Sequence, residues 1–178
     1  MSVRGRGILR GLLQCAALLV ALAVLPSCAM LGLGGEDPPP QEIEIKPPAE
    51  GGKINFLATA SPLLNPGTTG TPTPIVLRLY FLSAPGPFTD SNFFELWEQD
   101  EATLGPTLLA KHELFLSPSD VQRISVELPP ETLMVGVTAG FRDFEAAKWR
   151  AIVPMQGQRL MRLRAELLSD AVNLGPQT

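Results

Sequence analysis

Few side chains in this sequence could do chemistry. There is one histidine, His112, and two cysteines, Cys15 and Cys28, too few ligands for a typical zinc site or for a Cys–His couple. A Ser–His system would have to use His112, which lies in LLAKHELFL, where an extended strand carries it beside Lys111 and Glu113 as an ordinary strand position. Asp143 and Glu145 in FRDFEA have the types of an acid–base carboxylate pair, as two-carboxylate hydrolases use. Arg142 stands beside them, and a local ion pair at a strand end is the simpler reading. No phosphate-binding Gly-rich loop, G-x-S-x-G elbow or G-x-G-x-x-G turn occurs. The sequence offers no catalytic constellation, and no cofactor is expected.

Cys28 is different, because its surroundings are organised. Arg4, Arg6 and Arg10 form a positive start without an acid, and Gly11–Leu25 is a nearly continuous apolar run. At 15 residues it falls short of the roughly 20 needed to cross a bilayer, and its layout is that of an export signal. It ends in Leu25-Pro26-Ser27-Cys28, which resembles the bacterial lipobox, whose cysteine is lipidated and becomes the mature N-terminus. Pro26 departs from the usual small or β-branched residue. Ala29 in place of Asp resembles lipoproteins sent on to the outer membrane. A plain signal peptide or a one-pass anchor is the alternative.

Processing before Cys28 would leave 151 residues with 11 Lys+Arg and 18 Asp+Glu, moving the formal charge from −4 to −7. That acidity argues against a nucleic-acid partner. Cys15 would leave with the signal and Cys28 would be capped, so no internal disulfide is available and the core must hold by packing.

Residues 28–52 then read as the lipidated cysteine and a tether of Gly, Pro and acid, with Pro38–Pro40 and Pro47–Pro48 favouring extended chain. Its 24 residues after Cys28 could span up to ~70 Å at ~3.1 Å per residue.

The remaining stretch, 53–178, is read as one all-β domain, since its segments alternate with period two. Leu77, Leu79 and Phe81 oppose Arg78 and Tyr80; Ile124, Val126 and Leu128 oppose Arg123, Ser125 and Glu127. Leu133 through Phe141 alternate with small residues, Trp149, Ala151 and Val153 alternate with Lys148, Arg150 and Ile152, and Met161, Leu163, Ala165 and Leu167 alternate with charge. Turn residues separate the runs at the spacing of a β-sandwich. In DSNFFELWEQDEA, Phe93, Leu96 and Trp97 at i, i+3, i+4, with Asp90 or Asn92 as cap, predict one short inserted helix. Its acids Glu95, Glu98, Asp100 and Glu101 read as a solvated side, and Trp97 and Trp149 as core.

In order and spacing, these pieces resemble a family: the outer-membrane lipoproteins of type VI secretion (TssJ, also SciN or VasD). The resemblance covers about Lys53 to Val153. It is carried by a first strand ending near Ala60, the Asn65-Pro66 loop running through Gly70 into IVLRLYFL, the FTDSNFFELWEQDEATLG segment, the LFLSPSD turn and GFRDFEAAKWRA. It implies a transthyretin-like β-sandwich with a small helical addition. It also implies a non-enzymatic structural subunit, lipid-anchored through Cys28 in the outer membrane and facing the periplasm. The implied partner is the periplasmic C-terminal region of the inner-membrane protein TssM, with TssL in the same complex, and no small-molecule substrate. The loop between the first two strands, residues 61–74, would contribute the contact, through Leu63, Leu64, Asn65, Pro66, Thr68 and Thr69. The residues alone leave Leu63 and Leu64 open between contact and core. They also leave a ligand-binding lipoprotein, with an aromatic shelf at Trp97 and Trp149, as an alternative.

Overall fold

The computed structural model describes residues 51–157 and 160–177; the expected export signal, Cys28 and the expected tether as far as residue 50 lie outside them. Gly52, read as the tether's last residue, already stands in the first strand. Eight strands form two four-stranded sheets. Chain order is β1 (Gly52–Ala60), β2 (Ile75–Leu82), three short helices α1 (Gly86–Asp90), α2 (Phe93–Glu98) and α3 (Asp100–Leu104), then β3 (Leu108–Leu116) and β4 (Val121–Leu128). β5 (Met134–Ala139), β6 (Arg150–Pro154), β7 (Leu160–Leu167) and β8 (Val172–Pro176) complete it. One sheet runs β4-β1-β7-β8, the other β3-β2-β5-β6. Pairing is antiparallel except between β1 and β7.

The period-two pattern places the main core. β1 sends Ile54, Phe56 and Ala58 inward, β7 sends Met161, Leu163, Ala165 and Leu167, and β2 and β5 answer with Leu77, Leu79, Phe81, Val135, Val137 and Ala139, all buried. Each such large apolar side chain contributes roughly 1.5–3 kcal/mol over leaving it in water. The all-β sandwich expected from the sequence is the observed architecture.

The opposite face of the β2–β5 sheet is not solvated, as alternation alone would have it. Tyr80, Leu82 and Met134 are buried there under Phe88 of α1, Leu96 of α2 and Leu104 of α3, which explains why all six residues of β5 are buried. The close approach depends on two glycines. A Cβ on Gly136 would lie 2.8 Å from Phe88 Cζ, and one on Gly140 would lie 2.6 Å from the Trp97 ring.

The insertion is also longer than the single helix expected. It starts at Gly86, where Pro85 and Pro87 set the first turn. Asn92, one of the two cap candidates, accepts from the Glu95 backbone while Glu95 bonds back to the Asn92 N–H, a complete capping box. Gln99 then leaves helical geometry (φ −135°) and splits α2 from α3. β8 was not foreseen, because VNLGP lacks alternation and carries Gly175 and Pro176; its pairing with the edge of β7 makes it a strand.

Asp100 corrects a sequence expectation. It is buried beneath the insertion rather than on a solvated side. Its carboxylate accepts from Lys111 Nζ at 2.9 and 3.1 Å and from the Tyr80 hydroxyl at 3.1 Å, with the Arg78 guanidinium 3.7 Å away. Arg78 also reaches Glu113 at 3.4 Å and donates to the Trp97 carbonyl at 2.6 Å. Burial would push the Asp100 carboxyl up, but the Lys111 and Tyr80 hydrogen bonds and the charges of Lys111 and Arg78 outweigh it and hold it below the usual range. Burial, with Asp100 adding, pushes the Tyr80 hydroxyl up to about 12, and the bond to Asp100 raises Lys111.

Two outcomes follow for stability. Gly136→Ala should cost about 1–3 kcal/mol by overpacking Phe88. In a thermal-denaturation double-mutant cycle, adding Phe88→Leu should cost less than the two losses summed. Because Asp100 is depressed in the fold, its contribution is present above the ordinary carboxyl range and lost as pH falls through the lowered value. Tyr80 contributes below pH ~10 and loses that contribution as pH climbs towards about 12. Lys111, also raised, contributes below the ordinary lysine range and loses it as pH rises through the raised value. Denaturant titrations across pH should therefore show Asp100→Asn flattening the acid limb and Tyr80→Phe part of the alkaline limb.

Candidate functional site

β1 delivers the chain to one end of the sandwich at Ala60, and the 14 residues to Pro74 form a loop there before β2 begins. Left to itself, a loop of this length rich in Gly, Thr and Pro has no reason to hold one shape. Here it is pinned. Ser61 N–H donates to Leu167 O at 2.8 Å and Asn65 N–H to Ser169 O at 3.0 Å, and Thr73 N–H closes back on Leu64 O at 3.0 Å.

Asn65 is the centre of the clamp. It takes a left-handed backbone (φ 45°), which Asn tolerates better than most residues, and is only 4% exposed. Its Nδ2 donates to Thr73 Oγ1 and Pro74 O, both at 3.1 Å, and its Oδ1 accepts from the Arg142 backbone N–H at 2.8 Å. Thr73 Oγ1 returns a bond to Asn65 O at 2.6 Å. One side chain thus ties the β1–β2 loop to the β5–β6 loop, 77 residues away in sequence.

The six residues expected at the contact therefore divide. Leu64 belongs to the main core and is fully buried, and Asn65 is spent on internal bonds. Leu63 is 65% exposed, and Pro66, Thr68 and Thr69 are exposed with it. Thr69 and Thr71 hydroxyls lie 3.1 Å apart on the same rim. A cleft of about 260 Å³ opens between this rim and Phe141, Asp143 and Ala147 of the β5–β6 loop.

Beside it lies an aromatic cluster that sequence reasoning missed. Phe93 of α2 stacks on Phe144 of the β5–β6 loop at 4.5 Å and on Trp97 at 5.5 Å, and meets Trp149 edge-on at 5.2 Å. Phe94 touches Phe144 at 5.0 Å and is half exposed. Arg78 lies 4.3 Å over Trp97 and Arg150 4.9 Å over Trp149. Both tryptophans are half-buried rather than fully in the core. The adjacent phenylalanines Phe93 and Phe94 were the available signal: one helix cannot bury both on one face.

The remaining chemical candidates stay apart. His112 is half-buried on β3, edge-on to Phe81 at 5.9 Å. Asp143 and Glu145 are exposed in a turn, and only Asp143 lines the cleft. Arg142 does not pair with them among the described residues; its Nε donates to Thr73 Oγ1 at 3.3 Å. No group of three or more His, Cys, Asp or Glu is placed to hold a metal among the described residues.

This arrangement has known counterparts. A family model described as type VI secretion lipoprotein, VasD, EvfM, TssJ, matches residues 53–170. The chain belongs to that family. It is 31% identical to the type VI secretion lipoprotein TssJ1 from Pseudomonas aeruginosa, with TM-score 0.68, over 71% of this chain and 97% of that one. Serratia marcescens Lip, a membrane-bound component of the type VI secretion system, superposes with TM-score 0.65 at 18% identity, over 69% and 96%. A chain in the structure of the TssM C-terminal domain from EAEC superposes with TM-score 0.61 at 19% identity, over 70% and 98%. The last two speak for the fold alone. No curated protein matches the chain. Among the described residues, no helix of this type VI secretion lipoprotein is long and apolar enough to cross a membrane.

Asn65 is testable as a clamp. Asn65→Asp replaces two donated bonds with acceptors facing acceptors and should cost about 1–3 kcal/mol. Hydrogen exchange should then show faster opening at Thr73 and Arg142 than in the core strands. Wild-type protection in the mutant would remove the clamp.

Proposed function

We propose that the chain is a structural lipoprotein of the type VI secretion membrane complex, held in the outer membrane by acyl chains on Cys28. In this reading its domain faces the periplasm and binds the periplasmic C-terminal region of TssM, in one complex with TssL. The binding edge is the exposed rim of the β1–β2 loop: Leu63, Pro66, Thr68 and Thr69.

The observation that carries the reading is the rim itself, a family member's loop with exposed apolar and threonine side chains on a base fixed by Asn65. A rim already fixed loses little conformational freedom on docking. The direction of β1 adds to it. The chain enters the domain at Gly51 and leaves β1 for the loop after Ala60, about 30 Å further on at ~3.3 Å per residue. The chain's entry into the domain and the rim thus lie at opposite ends of β1, which leaves the rim clear of the point where the tether joins. Leu64 and Asn65, expected at the contact, act beneath the rim by holding its shape.

The anchor and the rim have separate tests. Cys28→Ala should yield a chain without acyl groups by mass spectrometry and without outer-membrane fractionation; persistent acylation would move the anchor elsewhere. Leu63→Asp combined with Thr69→Ala should weaken binding of the isolated TssM periplasmic domain at least ~10-fold, as loss of a central contact does, with an unchanged melting temperature. Leu64→Ala should instead cost about 2–5 kcal/mol of stability. Unchanged TssM affinity in the rim variant would take the loop out of the interface.

A further inference from the structure

The outer face of the β4-β1-β7-β8 sheet has no covering element among the described residues. Alternation turns Lys53, Asn55 and Leu57 of β1 outward, with Arg123 and Ser125 beside them on β4 and Arg162 and Arg164 on β7. Leu57 stands directly between Arg123 and Arg164. Though outward-facing, it is only 8% exposed, as expected where arginine stems lie along an apolar neighbour. Four cations, Lys53, Arg123, Arg162 and Arg164, share this face with two carboxylates, Glu127 at 3.5 Å from Lys53 and Glu166 at 2.9 Å from Arg164. The face is positive on a domain that is otherwise acidic: residues 51–178 hold 10 Lys+Arg against 13 Asp+Glu. Two of the most exposed large apolar side chains flank the cations, Leu160 (58%) beside Lys53 and Val121 (54%) beside Thr59. A groove of about 300 Å³ runs over Asn55, Leu57, Arg123 and Gln177.

We infer that this face rests on an anionic phospholipid surface. The inference builds on the lipid-anchor reading of Cys28. Cations beside exposed apolar side chains match the chemistry of a bilayer interface, where headgroup phosphates meet the first acyl carbons. Each cation near an anionic leaflet strengthens contact by roughly fivefold, and the acidic remainder of the surface is repelled, so the charge distribution orients the domain. An anchored chain needs little affinity for this, because the tether makes the contact intramolecular at an effective concentration on the order of millimolar. An acidic protein surface would use the arginines but has no use for Val121 and Leu160 at opposite ends of the face.

The test uses lipidated protein in vesicles. The mature chain has no cysteine other than Cys28, so Ser125→Cys places a single label on the face and Ala102→Cys, in a second sample, one on the helical insertion. Energy transfer to a headgroup acceptor should be at least about twofold stronger from position 125 than from 102 in phosphatidylglycerol-containing vesicles. The difference should vanish in phosphatidylcholine, at roughly 0.5 M salt, and in the triple variant Arg123→Glu, Arg162→Glu, Arg164→Glu. Equal transfer from both positions in anionic vesicles overturns the proposal, as does a difference indifferent to salt and to the triple variant. A label that fails to travel with vesicles at all reports a failed anchor, not a failed face. The chain starting at Ala29 is then held by an N-terminal His tag on nickel-chelating lipid and the two positions compared again. If the triple variant melts early, single Arg→Gln variants replace it, each expected to reduce the difference.

Discussion

The Phe88 ring lies against the bare backbone of Gly136, and that contact lets the segment between β2 and β3 cover the outer face of its own sheet. A sheet buried on both faces needs a second layer of apolar cover. With Phe88 seated, Leu96 and Leu104 close over Tyr80 and Met134, and α2 is brought along the sheet until Trp97 meets Gly140. Asp100 is carried inward with them. It is tolerable there because Lys111, Arg78 and Tyr80 all reach it; a buried carboxylate without such partners would cost several kcal/mol.

The same layer reaches the end of the sandwich that carries the β1–β2 loop. Trp97 on Gly140 places α2 beside the β5–β6 loop, where Phe144 stacks on Phe93. Arg142 in that loop donates its backbone N–H to Asn65. A chain of contacts thus runs from the insertion through the aromatic cluster to the rim of the β1–β2 loop. The rim owes part of its fixed shape to neighbours outside its own fourteen residues, Leu167, Ser169 and Arg142.

Much of the sandwich was legible in the sequence because alternation is a local property. β2, β4, β5, β6 and β7 fell where their apolar residues alternate, and the capping box of α2 was written in Asn92 and Glu95. Family membership was carried by motifs in order. Three features were not legible. The second core required knowing that the outward face of β2 would be covered, and Tyr80 and Leu82 look the same under water or under a helix. β8 has no pattern of its own and exists through pairing with β7. Asp100 resembles its neighbours Glu98 and Glu101 until Lys111, eleven residues on, is folded back against it.

The loop draws the same line most sharply. The sequence by itself determined that a long Pro/Gly/Thr segment joins two strands and that Leu63 and Leu64 stand out in it. Only the tertiary structure decided between them. Pro62 and Leu63 form a turn closed by the Leu64 N–H on Ser61 O at 3.1 Å, so the two leucines leave the chain in different directions. Which one turned inward depended on Asn65 finding Thr73, Pro74 and Arg142 at once, and two of those partners come from the far end of the loop and the third from another loop altogether. That geometry sends Leu64 into the core and leaves Leu63 in water.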